Sequence, residues 1–337
     1  MENRFFNDNT ISSIQSPREK IKFLLQFATL APSTHNSQPW LFKINDNSCE
    51  IYLDPSKQLP EADKTGRDMY ISLGCCIENL LIAARSYDIC PSLKLILKHD
   101  FIAIVEFKNL NNKIEIKEKK MLDAIKKRVN LRGFYIHKDI PPKLINKLEF
   151  YSMDYPSVKF HPVLDEQKRM SIVDLTAEGL RIAYQNRLFR NEMSLWFNSN
   201  DSRRKEGIPG YSINLPLVIS KIFPLIIKYF DVGKIVSLLN KKSMRTSPLI
   251  SVLTTKTNTK KEWIEVGMLA ERLMLELRAA GIFSAVYVAS IEIGRLSEEL
   301  QVILKTKDHV QFLFCSGYSD NPKQYVPRFT VEEKLLD

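Results

Sequence analysis

Apolar residues recur along the chain with two periods, and segments of each period alternate. Ile21, Leu24, Leu25 and Ala28 stand at helical spacing behind Ser16-Pro17-Arg18-Glu19. There Ser16 suits a cap, Pro17 a first turn and Glu19 the far side of a capping box. Pro32 ends that helix. Trp40-Leu41-Phe42-Lys43-Ile44 and Glu50-Ile51-Tyr52-Leu53 read as strands on either side of an Asn45-Asp46-Asn47 turn. A long helical pattern covers residues 69–89 and another covers 263–282. Strand-like runs follow each of them, at 93–97 and 101–107 and again at 285–289 and 310–315.

The two long helical patterns align at an offset of 193. Ile71/Ile264, Gly74/Gly267, Glu78/Glu271, Leu80/Leu273, Arg85/Arg278 and Ile89/Ile282 are identical. That is six of nineteen positions, where average residue usage gives about one. The chain therefore reads as two versions of one unit. Their boundary falls near residue 115, in the charged stretch KNLNNKIEIKEKK, giving halves at 1–115 and 116–337. A stretch at about 200–245 has no counterpart in the first half and reads as an insertion. Within it, residues 211–239 are strongly apolar but broken by Pro216, Lys221, Pro224, Lys228 and Asp231. A membrane span needs roughly 20 mostly apolar residues with few charges. The interrupted stretch fits a lid, a hairpin of short helices or a surface-associated segment instead.

Composition is that of an ordinary globular protein, with 44% hydrophobic and 26% charged residues. The net charge of +10 favours anionic ligands in general. The lysines are scattered in pairs without interleaved aromatics, so nothing marks a nucleic-acid partner. Cys49, Cys75, Cys76, Cys90 and Cys315 show no CxxC pairing and no metal spacing. An odd cysteine count and a start without a basic, then apolar, leader predict a cytoplasmic setting.

Two stretches carry candidate chemistry. Ala31-Pro32-Ser33-Thr34-His35-Asn36-Ser37-Gln38-Pro39-Trp40 places seven hydrogen-bonding residues between a helix and a strand. Lys126-Lys127-Arg128-Val129-Asn130-Leu131-Arg132 places four cations in seven residues at a helix end. Arg128 and Arg132 are planar donors suited to a phosphate. Taken alone, this second stretch also suits a solvated helix C-terminus.

Together, APSTHNSQPWLF, GCCIENLLIAA and KKRVNLRGF resemble the nitroreductase superfamily of FMN-binding flavoproteins. The resemblance is to its fused, two-half branch, the Acg-like nitroreductases. Ser247-Pro248-Leu249-Ile250-Ser251-Val252, Gly317-Tyr318 and Pro327-Arg328 are similar to that branch too. The resemblance covers most of residues 20–335 and is weakest at 140–245. It implies an α+β fold of two fused nitroreductase-like halves, each a mixed β-sheet packed by helices, forming an intrachain pseudo-dimer. The Pro-Ser-x-x-Asn element (Pro32 to Asn36) occurs only in the first half and the Arg-x-x-x-Arg element (Arg128 to Arg132) only in the second, so one FMN site per chain is implied. Ser33 and Asn36 are then expected at the flavin ring or ribityl chain. Arg128, Asn130, Arg132 and Arg328 are expected to hold phosphate and ribityl, with Lys126 a lesser candidate. Ala289-Ser290-Ile291 falls where relatives approach flavin N5. His35 has two readings, a proton donor or a filler of a polar niche, of which the second is commoner. Asp63 and Arg67 resemble an Asp…Arg element of the branch whose role the sequence does not supply; an ion pair at a helix start suits them.

The resemblance implies an NAD(P)H-dependent oxidoreductase passing hydride through flavin N5 to an acceptor such as a nitroaromatic or quinone. Its partners are then NAD(P)H and a small acceptor, with no transmembrane span and a homodimer left open. Two other readings stand beside it. A closed lid gives a flavin-sequestering protein with little turnover. An empty site gives a protein acting through protein contacts or a membrane surface.

Overall fold

The computed structural model describes residues 4–110, 115–320 and 324–336. The stretch around the expected boundary near residue 115 is thus only partly within the described residues. In chain order, α1 (Pro17–Ala28) leads to β1 (Trp40–Ile44), β2 (Ser48–Leu53), α2 (Arg67–Ser86), β3 (Cys90–Lys98) and β4 (Phe101–Lys108). Then come α3 (Lys119–Lys127), α4 (Pro142–Ser152), β5 (Val158–Val163), α5 (Glu166–Gln185) and α6 (Arg187–Trp196). A short pair, β6 (Phe197–Asn198) and β7 (Ile208–Pro209), precedes α7 (Leu217–Tyr229) and α8 (Gly233–Arg245). The chain closes with β8 (Leu249–Thr255), α9 (Lys260–Ala279), β9 (Phe283–Val286), α10 (Gly294–Leu304) and β10 (His309–Gly317).

Two four-stranded sheets form, ordered β1-β2-β4-β3 and β5-β8-β10-β9. Strand alternation decides the inner face of the first. Trp40, Phe42 and Ile44 on β1, with Cys49, Ile51 and Leu53 on β2, all point to the core. All seven residues of β8 are buried, as suits a central strand covered on both faces. Within each sheet the named strands pair antiparallel. The mixed character enters at one edge of each. Leu335 bridges Phe42 on β1 in parallel, and Asn130 bridges Ser284 on β9 in parallel. The segment carrying Arg128 and Arg132 is thereby fixed to the edge of the second sheet.

Helices α2 and α9 make the most extensive helix–helix contact. The repeated glycines lie at their crossing. A Cβ on Gly74 would stand 2.9 Å from Gly267 Cα and collide with the Ile264 carbonyl; one on Gly267 would collide with the Ile71 carbonyl. Ile71 and Ile264 are themselves a repeated pair, so the contact is reciprocal and marks an approximate two-fold axis between the halves. Both helices begin a few residues before the apolar pattern does. At α9 the cause is a capping box, with Thr259 Oγ1 accepting from Glu262 N and the Glu262 carboxylate accepting from Thr259 N.

Residues 186–245 form a further layer, with α8 packed along α5 and Met244 entering the core of the second sheet. Tyr184, Met193, Phe197, Ile227 and Val232 make its small core. The broken apolar stretch forms two short helices, α7 packed on α6 and α8 packed on α5. Among the described residues no helix is long and apolar enough to cross a membrane.

Backbone contact at the crossing leaves no room for a methyl group. Gly74→Ala and Gly267→Ala are each expected to lower stability by about 1–3 kcal/mol, the cost of overpacking a dense core. Gly294→Ala, where a Cβ meets nothing within 4 Å, is expected to stay within about 0.5 kcal/mol. Denaturant unfolding of the three variants measures the difference.

Candidate functional site

The loop that joins α1 to β1 is conformationally expensive. His35, Asn36 and Gln38 all have positive φ, at 51°, 56° and 54°. Non-glycine residues held there cost of order 1–3 kcal/mol each and persist only where their surroundings fix them. The fixing contacts come from four parts of the chain. Gln38 N donates to Ser33 Oγ at 2.9 Å. Asn36 Nδ2 and Gln38 Nε2 both donate to the Lys205 carbonyl, at 3.1 and 2.8 Å. Asn36 Nδ2 also donates to the Pro327 carbonyl, and Phe329 N donates to Gln38 Oε1 at 2.9 Å. Lys334 Nζ donates to the Gln38 carbonyl at 2.8 Å. Arg328 donates to Asn36 Oδ1 and to the Ala31 carbonyl, while Arg128 donates to the Leu30 carbonyl at 3.0 Å. Most of the polar side chains of this loop are therefore engaged in holding the loop itself.

Beside the loop lies an imbalance of buried charge. Arg128 is buried, and its Nε stands 3.1 Å from Glu271 Oε1 of α9, too poorly aligned for a hydrogen bond. Arg4 is also buried and donates to the Lys126 and Arg128 carbonyls at 2.9 and 3.0 Å. Arg328 approaches from the C-terminal segment, its Nε enclosed without a partner. Glu271 is the carboxylate these three guanidinium groups share. Burial and the nearby Arg128 push Arg4 down to about 10. Burial, with Arg4 and Arg128 beside it, lowers Arg328 well below the usual arginine range. Both shifts come first from burial and then from the neighbouring guanidinium groups. Burial drives Glu271 up to about 7 against the pull of Arg128.

The remaining residues are placed as follows. Asn130 is exposed and accepts from Val286 N at 2.7 Å, and Arg132 is exposed and donates to the Val286 carbonyl at 3.1 Å. The guanidinium of Arg132 also lies 5.0 Å from the Tyr287 ring centre. Lys126 is turned away from the cluster: its ammonium is paired with Asp8 and lies over the Phe6 ring. His35 Nδ1 is enclosed without a partner. Burial, with Arg132 nearby, lowers the His35 pKa to about 4. A histidine that is neutral at pH 7 supplies no proton as imidazolium. Arg67 pairs with Asp68 at 3.1 Å and with Glu292 of the second half, and Asp68 in turn accepts from Thr34 Oγ1 at 3.3 Å. This ion pair across the halves is the role that the sequence left open for Arg67. Asp63 caps the start of α2 through Met69 N at 3.0 Å; burial and the neighbouring Asp68 raise its pKa, as burial raises that of Glu292. Ser290 is buried and shares a hydrogen bond with Thr176 at 3.1 Å. Gly179 of α5 lets Ala289 approach, since a Cβ there would lie 2.5 Å from the Ala289 carbonyl oxygen. Arg4 and Glu271 are the members of the cluster that sequence reasoning missed. Arg4 carries no motif; Glu271 was marked by the repeat alone.

The cleft between the Arg128–Arg132 segment and the insertion is narrow. Val129, Asn130, Leu131 and Arg132 face Tyr211, Ser212, Asn214 and Gln324 around about 20 Å³ of space. That is room for about one water. The insertion is latched to the loop by the Lys205 carbonyl, to the segment after β2 by Lys57–Glu206 at 2.6 Å and to the C-terminal segment by Lys205–Glu333 at 2.7 Å.

No family model matches the chain. A putative NAD(P)H nitroreductase of Mycobacterium tuberculosis is 34% identical over 68 residues, 20% of this chain and 20% of that protein. The putative NAD(P)H nitroreductase acg of the same organism is 35% identical over 63 residues, 19% of each. The aligned stretches thus span about a fifth of these curated relatives. They are in keeping with the resemblance read from the motifs. Among solved structures, an FMN and NADPH-dependent nitroreductase from a Sphigopyxis strain is 16% identical, with a TM-score of 0.43 over 63% of this chain and 96% of that one. The FMN-dependent nitroreductase NfnB of Mycobacterium smegmatis, in complex with NADPH, is 16% identical, with a TM-score of 0.41 over 64% and 96%.

Two pH effects follow. Above pH 7 an ionised Glu271 offsets one guanidinium; below it, protonation frees the cluster for an anion. Sulfate, which does not titrate in this range, is expected to bind several-fold more weakly at pH 8 than at pH 6, and Glu271→Gln to remove the difference in calorimetry. His35 acts on stability. The unfolded chain takes up a proton near 6.5 and the fold resists it to about 4. Its contribution is fully present above 6.5 and lost as pH falls towards 4. His35→Gln is expected to flatten that part of the stability–pH curve measured by chemical unfolding.

Proposed function

We propose that the chain binds FMN at the junction of its two halves and acts as an NAD(P)H-dependent oxidoreductase of the nitroreductase kind. The observation that carries this reading is the buried excess of guanidinium groups beside the strained loop, with the Nε of Arg328 left unpartnered and that of Arg128 facing Glu271 without a hydrogen bond. A phosphate monoester is the ligand end that suits such a cluster, because it brings negative charge and several acceptor oxygens into a site already desolvated.

Arg128 and Arg328 would hold the phosphate, with Arg4 supporting the backbone of residues 126–128. Asn130 and Arg132 line the cleft next to them and suit the ribityl chain and the electron-rich edge of the ring. Ser33 and Asn36 fix the loop that the ring would meet. Bound there, the flavin would take hydride from NAD(P)H at N5 and pass electrons to an acceptor such as a nitroaromatic or a quinone. The protein's part is to orient, to exclude water and to stabilise negative charge. His35, neutral at pH 7, serves the loop rather than proton delivery.

The narrow cleft favours a second reading, a flavin-holding protein with little turnover. With about 20 Å³ available, entry of a flavin requires residues 205–214 to move away from the loop. A cover that stays shut once loaded would hold flavin without releasing its reducing power.

Denaturing the purified protein and quantifying the released flavin tests the shared premise. About one FMN per chain is expected. Arg132→Ala, at an exposed position, is expected to weaken FMN about tenfold, and Arg128→Ala/Arg328→Ala at least a hundredfold, from the loss of charge-assisted hydrogen bonds. Absence of flavin, together with no uptake of added FMN, overturns the proposal. Stopped-flow reduction by NADPH then separates the readings: rapid bleaching of bound flavin supports the enzyme, and a flavin inert to NADPH supports sequestration.

A further inference from the structure

Helices α7 and α8 reverse the usual arrangement of a surface helix. The residues α7 buries fully are Ser220 and Ile227. Val218, Ile222, Leu225 and Tyr229 are exposed by 74, 49, 58 and 65%. Their spacing of four, three and four residues puts them in one stripe. On α8, Ile235, Leu238 and Leu239 are exposed in the same way, again at helical spacing. Each helix thus leaves an apolar stripe uncovered, and exposed apolar surface of this kind marks a binding face.

The charge around the stripe says what it faces. Residues 211–245 contain Lys221, Lys228, Lys234, Lys241, Lys242 and Arg245 against Asp231 alone. Six positive and one negative charges leave +5, half of the +10 carried by the whole chain. Lys221 pairs with Asp201 at 2.8 Å and Lys241 with Asp174 at 2.7 Å. Among the described residues, Lys228, Lys234 and Lys242 have no carboxylate partner and flank the apolar stripe.

We propose that this face of α7 and α8 docks onto the surface of an anionic lipid bilayer. The aliphatic stripe would enter the boundary between headgroups and acyl chains, and the lysines would reach back to lipid phosphates. Tyr229 and Phe230 supply aromatic rings at the end of α7, a composition suited to that depth. A second copy of the chain is disfavoured, since a like-on-like contact sets Lys228, Lys234 and Lys242 of one copy against the same lysines of the other. A protein partner is disfavoured by composition: protein interfaces are depleted in lysine and enriched in arginine, and this face has five lysines and one arginine. The contact is peripheral, because no described helix is long and apolar enough to span. It stands independently of the flavin proposal.

Flotation of the full chain with phosphatidylcholine vesicles, with and without phosphatidylglycerol, at low and high salt, tests this. Binding is expected to the anionic vesicles and to weaken with salt. Lys228→Gln/Lys234→Gln/Lys242→Gln is expected to weaken it roughly a hundredfold, about fivefold per lysine. Ile222→Glu/Leu225→Glu is expected to abolish it while leaving the thermal midpoint unchanged, since both side chains are exposed. No binding to anionic vesicles at low salt overturns the proposal, as does equal binding to both lipid compositions or binding that neither variant alters. A concentration-dependent dimer in sedimentation that Ile222→Glu/Leu225→Glu dissolves would assign the face to a second copy and also overturn it.

Discussion

The close crossing of α2 and α9 is the constraint on which the rest depends. Helices this near to one another need glycine on both sides, and Gly74 and Gly267 occupy equivalent positions in the two repeats. Reciprocal contacts to the Ile264 and Ile71 carbonyls make the crossing symmetric. Once the central helices are fixed in this way, the elements flanking them are carried to shared edges. Arg128 at the end of α3 reaches Glu271 of α9 and the Leu30 carbonyl after α1. Arg67 at the start of α2 reaches Glu292 after β9. The arginine cluster is therefore a product of the packing around α2 and α9, drawing on Arg4, Arg128, Glu271 and Arg328 from separate parts of the chain.

Symmetry in the scaffold has given way to difference in the chemistry. Glu78 and Glu271 occupy matching repeat positions and both are fully buried. Glu78 accepts from Tyr155 at 2.9 Å and lies 3.6 Å from Arg272, a closed arrangement with its own partners. Glu271 instead faces Arg128, with Arg4 and Arg328 coupled to the same group. The same inherited carboxylate thus sits in a balanced pair on one side of the axis and in an excess of cations on the other. A buried charge without compensation costs several kcal/mol, so the second arrangement is explicable where an anion completes it.

Much of this was legible in the sequence, and the limits have physical causes. The repeat exposed the two-fold plan because Gly74, Gly267, Glu78 and Glu271 are dictated by backbone proximity and burial, which leave few alternatives. The strands β1 and β2 and their turn followed from period-two burial. Arg128, Asn36 and Arg328 were singled out, and the structure brings all three to one place. What Asn36 and Ser33 do there was less legible. Their side chains hold a loop with three positive φ angles, and sequence shows donors and acceptors without showing which are already engaged. Arg4 was invisible because a lone arginine before a short helix carries no pattern; only tertiary contact sets it against Arg128. The insertion could be recognised as broken and apolar, but which of its faces meets the protein depends on the small core around Ile227 and Tyr184.

The insertion couples these features energetically. Its inner side contributes the Lys205 carbonyl that holds Asn36 and Gln38, and it closes the cleft lined by Asn130 and Arg132. Closure removes water from cations that lack counter-charge, which disfavours the closed state for as long as no anion compensates them. An anion beneath the cover relieves that cost and so favours closure, and by linkage closure favours retention of the anion. The contacts that hold it are several: two hydrogen bonds to the Lys205 carbonyl, the Lys57–Glu206 and Lys205–Glu333 pairs, the Glu192 carboxylate accepting from Glu61 N and Ala62 N at 2.9 Å, Ser243 bonded to Gly133, and α8 packed along α5. Movement of residues 205–214 alone would leave α8 on α5 and the crossing of α2 and α9 in place. The glycine crossing positions the charges, and residues 205–214 cover the cleft beside them.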